Sequence, residues 1–424
     1  MRCSLQFLLR WALPSLLCSG VFAETATPES PSANALSFAA ALHIAEQQTP
    51  SLSAQAAHVS AAQASAIPAA ALPDPKLIVG ADNVPISGAD RGSLSRDFMT
   101  MEKIGVMQDV PNGDKRQARA DVANAAVAKA KAEQQIERLH VRQETALAWL
   151  NRLYLERRLS VLAELDRENA LLGDTVRAQL RTGKGAAADA LMPQQESIDL
   201  ADRRDELQQA ITQAKAALKR WIGDDAYLPL AGDPPVFPFD PTQLHKHLHH
   251  HPELAAFGPM TEMAEAEVRQ AEAEKKSDWG VELNYQRRGP MYSDMVSLQF
   301  TYDLPVFTGS RQTPRIEAKR QALLQVDSER QAMFREHTAE LDSDLAQYTT
   351  FVNRLTRLRD IRLPLAQQKV ELQMASYRAG RGDLSAVLAA RREWIEARLR
   401  QIELEGQQAA LVAKLYLAYG ENAP

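Results

Sequence analysis

The chain has 424 residues, 24% charged and 45% hydrophobic, a balance that excludes disorder. Its formal net charge of −5 offers no basic field to nucleic acid. No run after residue 23 reaches the roughly 18–20 apolar residues of a membrane-spanning helix, and aromatics at 6% are sparse for a compact enzyme core.

Residues 1–23 read as a cleavable signal peptide. Arg2 and Arg10 flank an apolar stretch through Trp11, Leu13, Leu16 and Leu17, and Val21-Phe22-Ala23 has the small-x-small pattern before Glu24. Leu17 is too large for a good lipobox at Cys18. Cleavage removes Cys3 and Cys18 and leaves a chain without thiols, disulfides or cysteine metal sites.

Residues 34–66 are Ala-rich and helical in pattern, with Pro50 inside them. Lys76–Val84 and Phe98–Val110 form a strand pair with imperfect alternation. Residues 114–172 contain neither Gly nor Pro and repeat apolar positions at threes and fours (Leu155, Leu159, Leu162, Leu165), which predicts a rod of roughly 90 Å. Such rods must pack side by side, and a plain coiled coil is the simplest version. Pro193 opens a third helical stretch to Ile222.

The second strand pair is cleaner. Val281, Leu283 and Tyr285 alternate with Glu282, Asn284 and Gln286, and Val296, Leu298, Phe300, Tyr302 and Leu304 alternate with Ser297, Gln299, Thr301 and Asp303. Period two gives one apolar and one polar face, at the length of a tilted membrane strand. Trp279, Tyr292 and Phe307 are candidates for interfacial girdles. A fourth helical region, 315–419, is expected to break at Pro364, Gly380, Gly382 and Gly406.

The two halves repeat. A shift of 197 aligns Leu180–Gly223 with Tyr377–Gly420 without a gap, with 12 of 44 positions identical, among them Glu196/Glu393 and Gly223/Gly420. Thr49-Pro50-Ser51-Leu52 parallels His251-Pro252-Glu253-Leu254, and Val110-Pro111-Asn112-Gly113 parallels Leu304-Pro305-Val306-Phe307-Thr308-Gly309. Four strands cannot close a barrel, and open sheet edges are not tolerated in lipid, so the chain must oligomerise; three copies supply twelve strands.

This duplicated layout, with its two turns Arg181-Thr182-Gly183-Lys184-Gly185 and Arg378-Ala379-Gly380-Arg381-Gly382, resembles the TolC-type outer-membrane factors. The resemblance implies a mainly α fold with a small membrane β-barrel. A homotrimer would form a 12-stranded barrel in the outer membrane of a Gram-negative cell and a long periplasmic α-helical barrel. It further implies a periplasmic adaptor (membrane fusion protein), an inner-membrane RND pump, contact with outer-membrane lipid, no nucleic acid, no cofactor and no catalysis. The expected division is a first repeat over 24–223 (a helix, strands near 76–84 and 98–110, helices 114–182 and 186–222), an equatorial linker over 224–250, and a second repeat over 251–424 (a helix, strands near 279–288 and 295–307, helices 315–379 and 383–420).

Three sets of residues follow from the resemblance and the pattern. Arg181, Gly183, Gly185, Arg378, Gly380 and Gly382 match the helical tips that meet the adaptor, with turn geometry alone as the competing reading. The gate positions carry Ala386 and Ala389 where acids are expected, leaving an acid ring of Asp189 or Asp383, or an apolar constriction at Leu384 or Leu388. His245, His247, His249, His250 and His251 are weak metal candidates, better read as surface histidines with incidental affinity.

The segment from Phe98 to Arg116 resembles heavy-metal efflux members of the CzcC and CusC type. Met99, Met101 and Met107 share one strand face; thioethers suit soft ions such as Cu(I), although lipid-facing or packed methionines are the favoured reading. The expected function is a passive duct exporting heavy-metal cations such as copper and silver, or cobalt, zinc and cadmium. The alternatives are the same duct for drugs or a type I secretion substrate, and a periplasmic coiled-coil scaffold or metal buffer.

Overall fold

A computed structural model describes residues 35–183, 186–238 and 240–420; the predicted signal peptide and Gly185 of the first turn lie outside them. Helices α1 (Phe38–Gln48) and α2 (Pro50–Ala66) replace the single helix expected over 34–66. Thr49 between them is extended, at φ −68° and ψ 123°, because a proline ring disfavours helical backbone at the residue before it. Strands β1 (Lys76–Asp82) and β2 (Met101–Val110) follow, then α3 (Gly113–Arg181). At 69 residues α3 is about 100 Å long.

A short 3-10 turn over Ala187–Ala190 precedes α4 (Met192–Ile222), which carries Pro193 in its first turn, where no intrahelical donor is lost. The linker holds a 3-10 turn over Gly223–Tyr227, α5 (Leu244–His247) and another 3-10 turn over Leu248–His250. Then come α6 (Pro252–Ala255), α7 (Phe257–Ala273), β3 (Trp279–Arg287) and β4 (Met295–Tyr302). The last stretch is α8 (Gln312–Arg357), α9 (Leu363–Arg378) and α10 (Leu384–Tyr419). The strands are shorter than expected, since 98–100 and 303–307 fall outside them.

Two expected breaks do not occur. At Pro364 the rod runs on from α8 into α9 through a π turn over Leu358–Arg362, whose wider winding makes room for the proline ring beside the carbonyl four residues back. At Gly406 α10 is unbroken, because the glycine serves packing instead: a Cβ there would lie 2.9 Å from Cγ of Tyr154 on α3. Gly406→Leu is therefore expected to destabilise the protein by about 1–3 kcal/mol through overpacking, despite leucine's better helix propensity. The check is the melting temperature of the detergent-solubilised protein.

Long helices pack side by side, with α3 between α4 and α10, and α10 in turn against α8 and α9. Around the linker, Leu36, Val141, Trp149, Leu150, Leu218, Trp221 and Ile222 form one core, and the Trp149 indole donates to the Leu36 carbonyl at 3.3 Å. Arg152, 1% exposed, reaches out of α3 and donates to the carbonyls of Ala226 and Leu228 at 2.7 and 2.8 Å, so that one guanidinium holds the start of the linker.

The four strands form one antiparallel sheet in the order β1-β2-β3-β4. Its outer edges, β1 and β4, have no strand partner within the described chain. No helix among the described residues is long and apolar enough to cross a membrane.

Candidate functional site

The sheet register sorts side chains by face. Leu77, Val106, Leu283 and Leu298 lie in one row across all four strands, and Val79, Ile104, Tyr285 and Val296 in the next. All eight are exposed, from 46% at Tyr285 to 71% at Val79, so this apolar band has no cover from the described helices. Trp279 and Tyr302 face each other at the end nearest the helices, and Tyr285 and Tyr292 mark the loop end. Phe307, expected in a girdle, lies beyond the strand but is also exposed.

Opposite them is a polar face. Lys76 pairs with Asp109 at 2.7 Å and Lys103 with Asp82 at 3.1 Å, while Asn284 donates to Glu282 at 2.7 Å and Ser297 to Gln286 at 3.0 Å. Gly105 is required here: a Cβ would meet Oδ1 of the buried Asn284 at 1.9 Å. Met101 and Met107 sit on this polar face, paired with Asp82 and with Lys76 and Glu282. Met99 does not join them, because the strand begins at Met101 and the Met99 N–H is taken by Asp97 at 2.7 Å.

At the other end of the long helices lie the two turns. Gly183 (φ +70°) and Gly380 (φ +71°) occupy the left-handed region, which a side chain would strain. After α9 the Gly380 N–H donates to the Tyr377 carbonyl and the Arg381 N–H to the Ser376 carbonyl, the Schellman pattern that satisfies terminal carbonyls. Gly382 is needed for space, since a Cβ would lie 2.8 Å from the Ser376 hydroxyl.

The turns border a common cleft of roughly 440 Å³, lined among others by Asp189, Asp383, Tyr377, Arg378, Gly380 and Gly382. Both candidate acids therefore come together there. The Tyr377 hydroxyl is buried without a hydrogen-bond partner among the described residues, and burial, aided by the Asp189 carboxylate, raises its pKa. Leu384 is 2% exposed and packs with Leu172, Val176, Tyr377 and Val387 in the chain's own core. Leu388 packs partly against the same cluster. The repeated glutamates make matching ties beside the tips: Glu196 on α4 accepts from Arg392 at 2.7 Å and Glu393 from Lys369 at 2.7 Å.

The five clustered histidines do not gather at one point, although the His247 and His250 rings approach to 6.0 Å. Leu244 and Leu248 turn into the core, which throws the histidines between them outward. His245 meets Asp342 at 2.8 Å, His247 the Tyr419 carbonyl at 3.3 Å, and His249 stacks on Phe334. His250 stays exposed. Only His251 is buried, at 6% exposure, in a group with Glu253 and His337. The His337 Nε2–H donates to Glu253 at 2.8 Å and its Nδ1 contacts the Tyr419 hydroxyl at 3.1 Å. Burial, with His337 alongside, lowers the His251 pKa to about 4, and burial raises that of Tyr419. The hydrogen bond from His337 lowers the pKa of Glu253.

A family model described as outer membrane efflux protein matches residues 41–224 and 244–421, nearly the whole described chain. The chain belongs to the outer membrane efflux protein family. As an efflux channel of this TolC-like family it is a passive duct rather than an enzyme. The channel's fold is that of CusC, with a TM-score of 0.76 at 15% identity over 90% of this chain and 92% of that one. It matches VceC of Vibrio cholerae at 0.72 and 18%, covering 91% and 97%, and CmeC of Campylobacter jejuni at 0.74 and 12%, covering 90% and 85%. No curated protein matches the channel by sequence. Membership sets aside the reading as a soluble scaffold or metal buffer, which the uncovered apolar face of the sheet also opposes.

The reading of the sequence missed Arg152, Glu253, His337 and Tyr419 as site-forming residues. A lone histidine on a long helix carries no spacing signal, and the partners of His337 lie more than eighty residues away in sequence.

Proposed function

We propose that three copies of this channel close into a 12-stranded outer-membrane barrel continued by a periplasmic helical barrel, and that with a periplasmic adaptor and an inner-membrane RND pump it exports heavy-metal cations. The observation that carries the duct is the sheet: an exposed apolar face, a hydrogen-bonded polar face and two open edges, on helices of about 100 Å. Joining β4 of one copy to β1 of the next removes every edge from lipid. The helical layer offers matching seams, because Ile361, Leu365 and Leu372 are exposed along one side of the π turn and α9, and Leu191 and Ile198 at the start of α4. The tips, with Arg181, Gly183, Gly185, Arg378, Gly380 and Gly382, are the adaptor-facing surface, and Asp189 and Asp383 in the cleft between them are the gate acids.

For the cargo, support comes from the Phe98–Arg116 segment, which resembles heavy-metal efflux members, and from Met101 and Met107 on the polar face. VceC and CmeC share the fold about as well as CusC, so the fold itself does not select the cargo. The test is growth of a strain lacking the protein on Cu, Ag, Zn, Cd, Co and Ni salts beside common drugs and detergents. Sensitivity confined to one group of metals and restored by the gene is expected. Sensitivity to drugs with normal metal tolerance overturns the cargo and leaves the duct standing.

A further inference from the structure

We propose that His251, Glu253 and His337 form a binding site for one borderline divalent transition ion per chain, of the Zn(II), Co(II), Ni(II) or Cu(II) class, at the junction of α6, α8 and the end of α10. The site is separate from the duct reading and stands whatever the cargo.

One donor atom from each residue lies within 4.8 Å of the others. Donors around a tetrahedral ion with bonds of about 2.0–2.2 Å stand about 3.4 Å apart, so rotamer adjustments suffice to close the set. Two imidazoles and a carboxylate are the donors that this class of ion prefers. The two imidazole rings are already 4.2 Å apart and buried, which holds them without further ordering. Glu253 is 42% exposed on its side chain, leaving an entry path and room for water as a fourth ligand.

An outer partner is in place as well. The His337 Nε2 proton now sits between His337 and Glu253. An ion there takes over Nε2, the ring proton moves to Nδ1, and Nδ1 donates it to the Tyr419 hydroxyl at 3.1 Å. Such a partner fixes the tautomer of a ligating histidine. The first half of the chain shows that the fold does not demand this set. There Thr49 and Ser51 stand where His251 and Glu253 stand, and the Thr49 hydroxyl simply donates to the Trp221 carbonyl at 3.0 Å.

The experiment uses the full channel purified in detergent and stripped with EDTA, titrated with Zn(II) by calorimetry and with Co(II) by its visible absorption. Expected is one saturable site per chain, weakened at least tenfold in Glu253→Gln and in His337→Gln. A variant with His245, His247, His249 and His250 all replaced by Gln is expected to keep it. Glu253→Gln preserves an acceptor for His337, so its metal-free melting temperature reports that the fold is intact. Absence of a saturable site, unchanged affinity in Glu253→Gln and His337→Gln, or loss of the site in the four-histidine variant overturns the proposal.

Discussion

Leu298→Arg is expected to remove the channel from the outer membrane, while Gln299→Arg, one residue along the same strand, leaves assembly intact. Leu298 lies midway along the edge strand β4, ends the row formed with Leu283, Val106 and Leu77, and is 60% exposed. An arginine facing lipid at the midplane of a membrane barrel costs about 2–4 kcal/mol, and every copy in an oligomer bears the cost again. Gln299 instead faces the polar side, paired with Glu282, where an arginine finds a carboxylate. The measurement is the amount of protein in the outer-membrane fraction and its migration as an oligomer in mild detergent. Equal tolerance of both variants would mean that the apolar band does not meet lipid.

The second hairpin could be read in the sequence because β3 and β4 alternate without exception through Leu283, Tyr285, Leu298 and Phe300. The first was blurred by Ile78, Met101 and Met107 on the polar face and by Glu102 and Gln108 on the apolar one, while Gly105 answers to Asn284 on the neighbouring strand, a contact that no local pattern encodes. Helical runs were legible through their period, but the period does not say which neighbour covers an apolar stripe. That is why the sequence alone does not place Leu384 in the core between α3 and α9. Gly406 was misread for a related reason, since a glycine that thins a helix for close packing looks in sequence like one that ends it. The histidine run drew attention by its density, yet the leucines between them set its orientation, and only the last histidine is buried in a group of metal-type donors.

Arg152→Met is expected to lower stability by about 3–5 kcal/mol. Methionine fills the volume but cannot donate. The carbonyls of Ala226 and Leu228 then lose their partners in a buried setting, and Glu156 loses the Nε contact at 2.7 Å. Each hydrogen bond from a charged donor contributes about 1.5–3 kcal/mol, and the desolvation of both carbonyls is left uncompensated. Arg152→Lys should recover only part of this, because an ammonium is a point donor and cannot span two carbonyls as the guanidinium fork does. The consequence reaches beyond the residue. The 3-10 turn over Gly223–Tyr227 and the parallel bridge of Leu36 to Leu230 both hang on the segment that Arg152 grips, so the linker should loosen before the long helices do. Melting of the detergent-solubilised protein, read together with limited proteolysis between residues 224 and 243, checks both parts. A melting temperature unchanged in Arg152→Met would show that the core around Trp149 and Trp221 holds the linker without the guanidinium.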